Sequence, residues 1–147
     1  MKLTEAQVKE LSENLQVGYT VYINLDTGEM KFLIDEDKFP DAREMFEEEL
    51  DEIDSWDHVA ELKEMPSYEA FRLMEDFAYR VDADFHDDLM VALDRKKPFA
   101  NFKELVESSD YREEWFKYRD QRYLEYTESL LREEDIEFES NYEEDYE

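Results

Sequence analysis

Apolar residues recur at helical spacing from the start of the chain. Leu3, Val8, Leu11 and Leu15 form a stripe, and Thr4 followed by Gln7 makes a capping box at its head. Gly18 stands where a helix ends in a left-handed residue. Past it the period changes to two. Tyr19, Val21, Ile23 and Leu25 alternate with Thr20, Tyr22 and Asn24, the pattern of a half-buried strand. Asp26-Thr27-Gly28-Glu29 is a turn, and Met30, Phe32 and Ile34 alternate with Lys31 and Leu33 as the returning strand. A two-stranded hairpin is marginal alone, so this one must pack on helices or gain a third strand. Val59 to Met65, before Pro66, is the candidate.

Between Asp35 and Asp57 the pattern is acidic and less regular. Asp41 to Ile53 suits a helix that buries Met45, Phe46, Leu50 and Ile53. After Pro66 the chain reads as helical. Ser67 caps a segment with apolar positions at Ala70, Phe71, Met74, Phe77, Ala78 and Val81. Phe85 to Leu93 and, after a basic turn and Pro98, Phe99 to Val106 follow. A long last helix opens with the Asp110…Glu113 pair and runs to about Leu131. The fold expected is α+β: an N-terminal helix, a β-hairpin with a candidate third strand, and a helical C-terminal half. Residues 1–132 are expected to form one domain. Residues 133–147 keep Ile136, Phe138, Tyr142 and Tyr146 but lack caps, and read as an acidic, disordered tail.

Charge sharpens this picture. The 147 residues hold 44 acids and 17 bases, a net charge of −27. Residues 35–64 carry 14 acids and three bases, and residues 133–147 carry nine acids and no base. Nucleic acid and anionic membranes repel such a chain, because binding to phosphate backbones comes largely from Lys and Arg displacing counterions. The longest basic run, Arg95-Lys96-Lys97, is too short to reverse this. Two readings of the acids stay open: a solvated surface that favours solubility, or a docking face for a basic protein partner. There is no cysteine, so disulfides, thiolate metal sites and cysteine nucleophiles are excluded together. The start of the chain lacks the apolar run of a signal peptide, and no stretch of roughly 18 apolar residues occurs. A cytoplasmic protein is the expectation.

Signatures of chemistry are sparse. His58 and His86 stand 28 residues apart and fit no metal spacing. Asp82-Ala83-Asp84-Phe85-His86 begins like a calcium loop, but Asp87 replaces the required glycine and Leu93 the closing glutamate. Two glycines in the whole chain exclude a phosphate-cradling glycine loop. No serine lies in a nucleophile elbow, and carboxylate pairs are too common here to indicate acid–base catalysis. No catalytic residue, cofactor or metal is expected.

The last helix holds the one unusual feature. Trp115, Arg119, Arg122 and Tyr126 lie at steps of four, three and four, on one face, with Phe116 and Tyr123 beside Arg119. An arginine in an aromatic stripe needs a carboxylate or a ring face, since its guanidinium stays charged. Arg72, Glu75 and Asp76 on the helix from Ser67 offer such partners. Arg119 is then either a structural ion-pair member or the floor of a cleft that binds an anionic group.

Three blocks also resemble a bacterial family, Uncharacterised Protein Family 0158. They are Tyr68-Glu69-Ala70-Phe71-Arg72-Leu73-Met74-Glu75-Asp76-Phe77, Phe99-Ala100-Asn101-Phe102-Lys103-Glu104-Leu105 and Trp115-Phe116-Lys117-Tyr118-Arg119-Asp120. The turn at Leu25-Asp26-Thr27-Gly28-Glu29 is similar to one found early in its members. The resemblance covers about residues 66–136 and departs at the acidic 35–64 segment and the tail. It implies no activity, and it marks Arg72, Glu75, Asp76, Trp115, Arg119 and Asp120 as motif positions.

Overall fold

The computed structural model describes residues 1–35 and 38–140. It is α+β, with an N-terminal helix, a three-stranded antiparallel sheet and a helical C-terminal half. Contacts divide it into two compact units where one domain was expected: residues 1–64 with the chain from 123 onward, and residues 65–122.

In the first unit, β1 (Lys2–Leu3) leads into α1 (Glu5–Gln16). The capping box forms: Thr4 Oγ1 accepts from the Gln7 N–H at 3.1 Å, and Gln7 Oε1 accepts from the Thr4 N–H at 2.9 Å. Gly18 ends the helix at φ +102°, where a side chain would be strained. The sheet follows as β2 (Tyr19–Asn24), β3 (Met30–Ile34) and β4 (Val59–Leu62), in the order β3-β2-β4. The third strand is real, though shorter than its pattern suggested. Val21 faces Phe32 and Leu62, and Ile23 faces Met30 and Ala60. This register puts Val21, Ile23, Ala60 and Leu62 in one core with Val8, Leu11 and Leu15.

The acidic stretch forms two helices instead of one, α2 (Ala42–Met45) and α3 (Glu47–Asp54), broken at Phe46. Like charges at i and i+4 across the break, Glu44 and Glu48, oppose a continuous helix here. Ile53 is buried as expected and Phe46 and Leu50 are half-buried, but Met45 is 69% exposed.

The second unit contains α4 (Ser67–Ala78), α5 (Ala83–Leu93), α6 (Pro98–Glu107) and the first part of α7 (Arg112–Glu133). Ser67 is the first helical residue and makes no side-chain cap; Pro66 takes the cap position. Asp82 does cap α5, accepting from the Phe85 N–H at 2.9 Å and from the Tyr111 hydroxyl at 3.0 Å. Tyr111 stacks on Phe85 with 5.4 Å between ring centres. Leu73, Met74, Phe77, Leu89, Leu93, Phe102, Val106 and Trp115 form the interior.

Beyond α7 the structure differs from the expected disordered tail. Asp135 takes a left-handed φ of 56°, and the Ile136 N–H returns to the Leu131 carbonyl at 2.9 Å, closing the helix. Ile136 then enters the core of the first unit at 5% exposure, and β5 (Glu137–Phe138) pairs in parallel with β1. Burial of Ile136 and Leu131 outweighs the local charge. Residues 141–147 of that tail lie outside the described residues.

Two outcomes follow from this packing. Ile136→Ala should destabilise the protein by about 2–5 kcal/mol in urea unfolding, the range for truncating a buried isoleucine. A change near zero would mean the segment after α7 contributes nothing to the fold.

The hydrogen bonds from Phe85 and Tyr111 hold the Asp82 carboxyl below its ordinary range. A carboxyl lowered on folding adds stability that is full above its unfolded value, about 4, and lost as pH falls through the folded one. The stability difference between the wild type and Asp82→Asn should therefore shrink on acidification below about pH 4. Parallel pH curves for the two proteins would remove the charged cap from the account.

Candidate functional site

The six motif residues all fall in the second unit, but not in the arrangement expected. Trp115 is 1% exposed, with its ring edge-on to Phe77 at 5.3 Å and Phe102 at 5.0 Å. Its indole Nε1 is buried without a hydrogen-bond partner among the described residues. It is a core residue. Arg72 and Asp76 on α4 are exposed, and Glu75 is half-buried.

Arg119 does not pair with a carboxylate of α4. Its Nε and Nη2 donate to Oδ1 of its neighbour Asp120 at 3.1 and 3.0 Å, and its guanidinium lies 4.7 Å from the centre of the Phe116 ring. Arg122 reaches α4 instead. Its Nη2 stands 3.6 Å from Asp76 Oδ2, and its Nη1 donates to the Tyr118 hydroxyl at 2.6 Å. Helix geometry explains the exchange. Arg122 lies about 20° from the buried Trp115 around the axis, whereas Arg119 lies about 40° away on the other side.

The arginines of this unit use rings more than acids. Arg80 and Arg122 lie 4.6 and 5.4 Å from the centre of the Tyr118 ring, and Arg112 and Arg119 lie 5.2 and 4.7 Å from that of Phe116. Arg112–Phe116 and Tyr118–Arg122 are i,i+4 pairs and legible as such. Arg80 follows the C-cap of α4, and nothing in sequence connects it to Tyr118.

The first unit carries the acidity. Its segments hold 30 acids and seven bases, a balance of −23, against 14 acids and ten bases, −4, in the second. Glu47, Glu48 and Glu49 open α3, which has no base in its last turn, and Phe39 and Met45 are exposed just before it. An ion pair ties α3 to the sheet: Lys31 Nζ stands 3.0 Å from Glu52 Oε2. This hydrogen bond raises the Lys31 ammonium above its usual range and draws Glu52 below the usual carboxylate range.

Behind α2 and α3 lies a cavity of about 290 Å³. The alternation of β2 turns Thr20 and Tyr22 away from the core and into it, together with Leu33 from β3. Phe46, Leu50 and Ile53 form the opposite wall. The sheet is thus covered on both faces, where the alternation predicted one open face. Arg119 lines neither this cavity nor the groove of about 430 Å³ beside Val91 and Leu105.

Among the described residues no group of three or more His, Asp or Glu is placed to hold a metal ion, and no helix is long and apolar enough to cross a membrane. His58 Nδ1 faces Asp26 at 3.2 Å, and His86 Nδ1 is 2.6 Å from the Ala78 carbonyl oxygen.

Fold and sites together define a small α+β protein with one strongly acidic unit and one unit built around arginine–aromatic stacks. The chain matches the family model described as Uncharacterised protein family (UPF0158) over residues 3–147, and it belongs to that family. The match takes in the acidic stretch and the tail, where the resemblance of the separate blocks had stopped. No curated protein and no solved structure matches the chain.

The contrast between Trp115 and Arg119 is measurable. Trp115→Ala should cost about 3–5 kcal/mol, the range for emptying a buried aromatic site. Arg119→Ala removes a pair with an exposed aspartate and one ring contact, and should cost about 1 kcal/mol or less. A loss of about 3 kcal/mol at Arg119 would reinstate it as half of a buried ion pair.

Proposed function

We propose that this protein is a non-enzymatic interaction module of the cytoplasm whose acidic unit docks a basic protein partner. The observation that carries the reading is the uneven charge: −23 on one unit and −4 on the other. Solubility alone asks for net charge and is indifferent to its division between units. Exposed Phe39 and Met45 beside the acids of α3 add apolar anchors of the kind that dominate binding energy at interfaces.

A second reading, an anion-binding protein or small enzyme with its site around Arg119, is favoured by the shared ring of Arg112 and Arg119. A stacked guanidinium keeps in-plane donors for an anion.

Affinity capture from the native cell at low salt, with a high-salt wash as control, supplies the partner. Titration of that purified partner across a sodium chloride gradient tests the reading. Screening shortens the Debye length from about 30 Å at 0.01 M to about 10 Å at 0.1 M. Affinity should fall steeply over that range, and further in a Glu47→Gln, Glu48→Gln, Glu49→Gln triple variant. The melting temperature of the free protein should rise over the same range, as self-repulsion is screened. A salt-insensitive affinity would reduce the acidic surface to a solubility device. Tight, salt-sensitive binding of inorganic phosphate, lost in Arg112→Ala, would favour the second reading.

A further inference from the structure

We propose that the cavity between the sheet and α2–α3 is a binding site for a compact organic cation, an ammonium group on a small apolar body. This goes beyond docking of a basic protein, which needs only the outer surface of the acidic unit.

The first argument is Thr20. It is 4% exposed, its position in β2 turns it to the cavity side, and its hydroxyl makes no hydrogen bond among the described residues. Trp115 Nε1 is the one fully buried polar side-chain atom without a partner among the described residues, so the Thr20 hydroxyl is open to the cavity and can be satisfied from it.

The second argument is the balance of charge on the walls. Asp35, Asp54 and Glu61 line the cavity with Arg43 and Lys63. Lys63 Nζ stands 3.7 Å from Glu61, and Asp35 and Arg43 are also engaged by neighbours. Asp54 is the exception: its side chain has no hydrogen bond or ion pair among the described residues. It is also the last residue of α3, at the carbonyl end, where the helix dipole disfavours a negative charge and favours a cation. A cation bound there relieves both the dipole and the charge of the unit. Leu33, Phe46, Leu50 and Ile53 supply an apolar part of the wall, beside Thr20 and Tyr22, and can take a small hydrocarbon body. At about 290 Å³ the space is at the small end of ligand sites, which limits the body to about one ring.

The probe is phenethylammonium, titrated into the full chain and followed by amide NMR shifts. Two controls separate the contributions: 3-phenylpropionate has a similar shape with the opposite charge, and ethanolamine has the charge without the ring. Saturable shifts centred on Thr20, Tyr22, Leu33 and Ile53 are expected with phenethylammonium, and much weaker ones with either control. Thr20→Val keeps shape and removes the hydroxyl, and should weaken binding by about tenfold, as should Asp54→Asn. Leu50→Trp fills the space and should abolish binding while leaving every acid in place. A preserved spectrum outside the cavity shows that each variant is folded. Equal binding of 3-phenylpropionate, unsaturable shifts spread over the acidic surface, or wild-type affinity in both Thr20→Val and Asp54→Asn would overturn the proposal. Because Leu50→Trp retains the acidic surface, failure of the cavity leaves docking of a basic partner standing, and salt-insensitive docking leaves the cavity standing.

Discussion

The first unit must close a core while its segments carry an excess of 23 negative charges, and most of its features answer to that demand. A carboxylate buried without a partner is strongly destabilising, so nearly all acids stay on the surface and the apolar stripes between them are narrow. Some of these acids are put to use, both at the surface and inside. Glu139 accepts from the Glu5 N–H at 3.1 Å, at the end of α1 where free N–H groups favour negative charge. Glu128 is fully buried yet stands 3.5 Å from Arg132, whose guanidinium also lies 5.3 Å from the centre of the Phe138 ring. That stack joins the end of α7 to β5, so one arginine serves both a buried acid and the closing strand.

The second unit solves a different problem. With 14 acids and ten bases it is close to neutral, and its arginines are placed by aromatic faces as much as by carboxylates. A guanidinium over a ring gains attraction from the face while its N–H donors remain in plane for other partners. Arg122 shows this directly, with Tyr118 supplying both the ring and the hydroxyl acceptor and Asp76 standing near. The order of residues along α7 decides which arginine reaches α4. Trp115 sets the buried direction, and Arg122 falls within a narrow angle of it.

Elements with strong local periodicity were legible in the sequence. Thr4, Gly18, Gly28 and the alternation from Tyr19 to Ile34 lead directly to α1 and the hairpin, because caps, turns and period two are local properties. Val59–Leu62 was legible as a strand only because the hairpin required a partner. The β1–β5 bridge was hidden, since two residues carry no period and Ile136 looked like one apolar residue in a run of acids. The outer face of the sheet was misjudged for a related reason: Thr20 and Tyr22 look polar in alternation, and only Leu33 on the same face hinted at a cover. In the second unit, the α7 stripe put Arg119 and Arg122 near the face turned to α4. It could not choose between Arg119 and Arg122, because that depends on the position of Asp76 in the packed unit.

The cover over that face depends on forces of opposite sign. α3 carries Glu47, Glu48, Glu49, Asp51, Glu52 and Asp54 in eight residues, so its own charges oppose its formation and its approach to an acidic body. Leu50 and Ile53 draw it down, and Lys31 pairs with Glu52 from the sheet. The Lys31 side chain is 20% exposed, whereas the acids of α3 other than Glu49 are largely open to solvent. Glu52 is itself 50% exposed, but the pair closes at 3.0 Å with Lys31 mostly covered, so salt weakens the longer-range repulsion among the acids more than it weakens this one short pair. Added salt therefore seats α3 more firmly, in the same direction that it compacts the unit as a whole. Lys31 is the residue that makes the two effects agree, because a fully exposed cation in its place would lose its hold at the ionic strength where the repulsion fades.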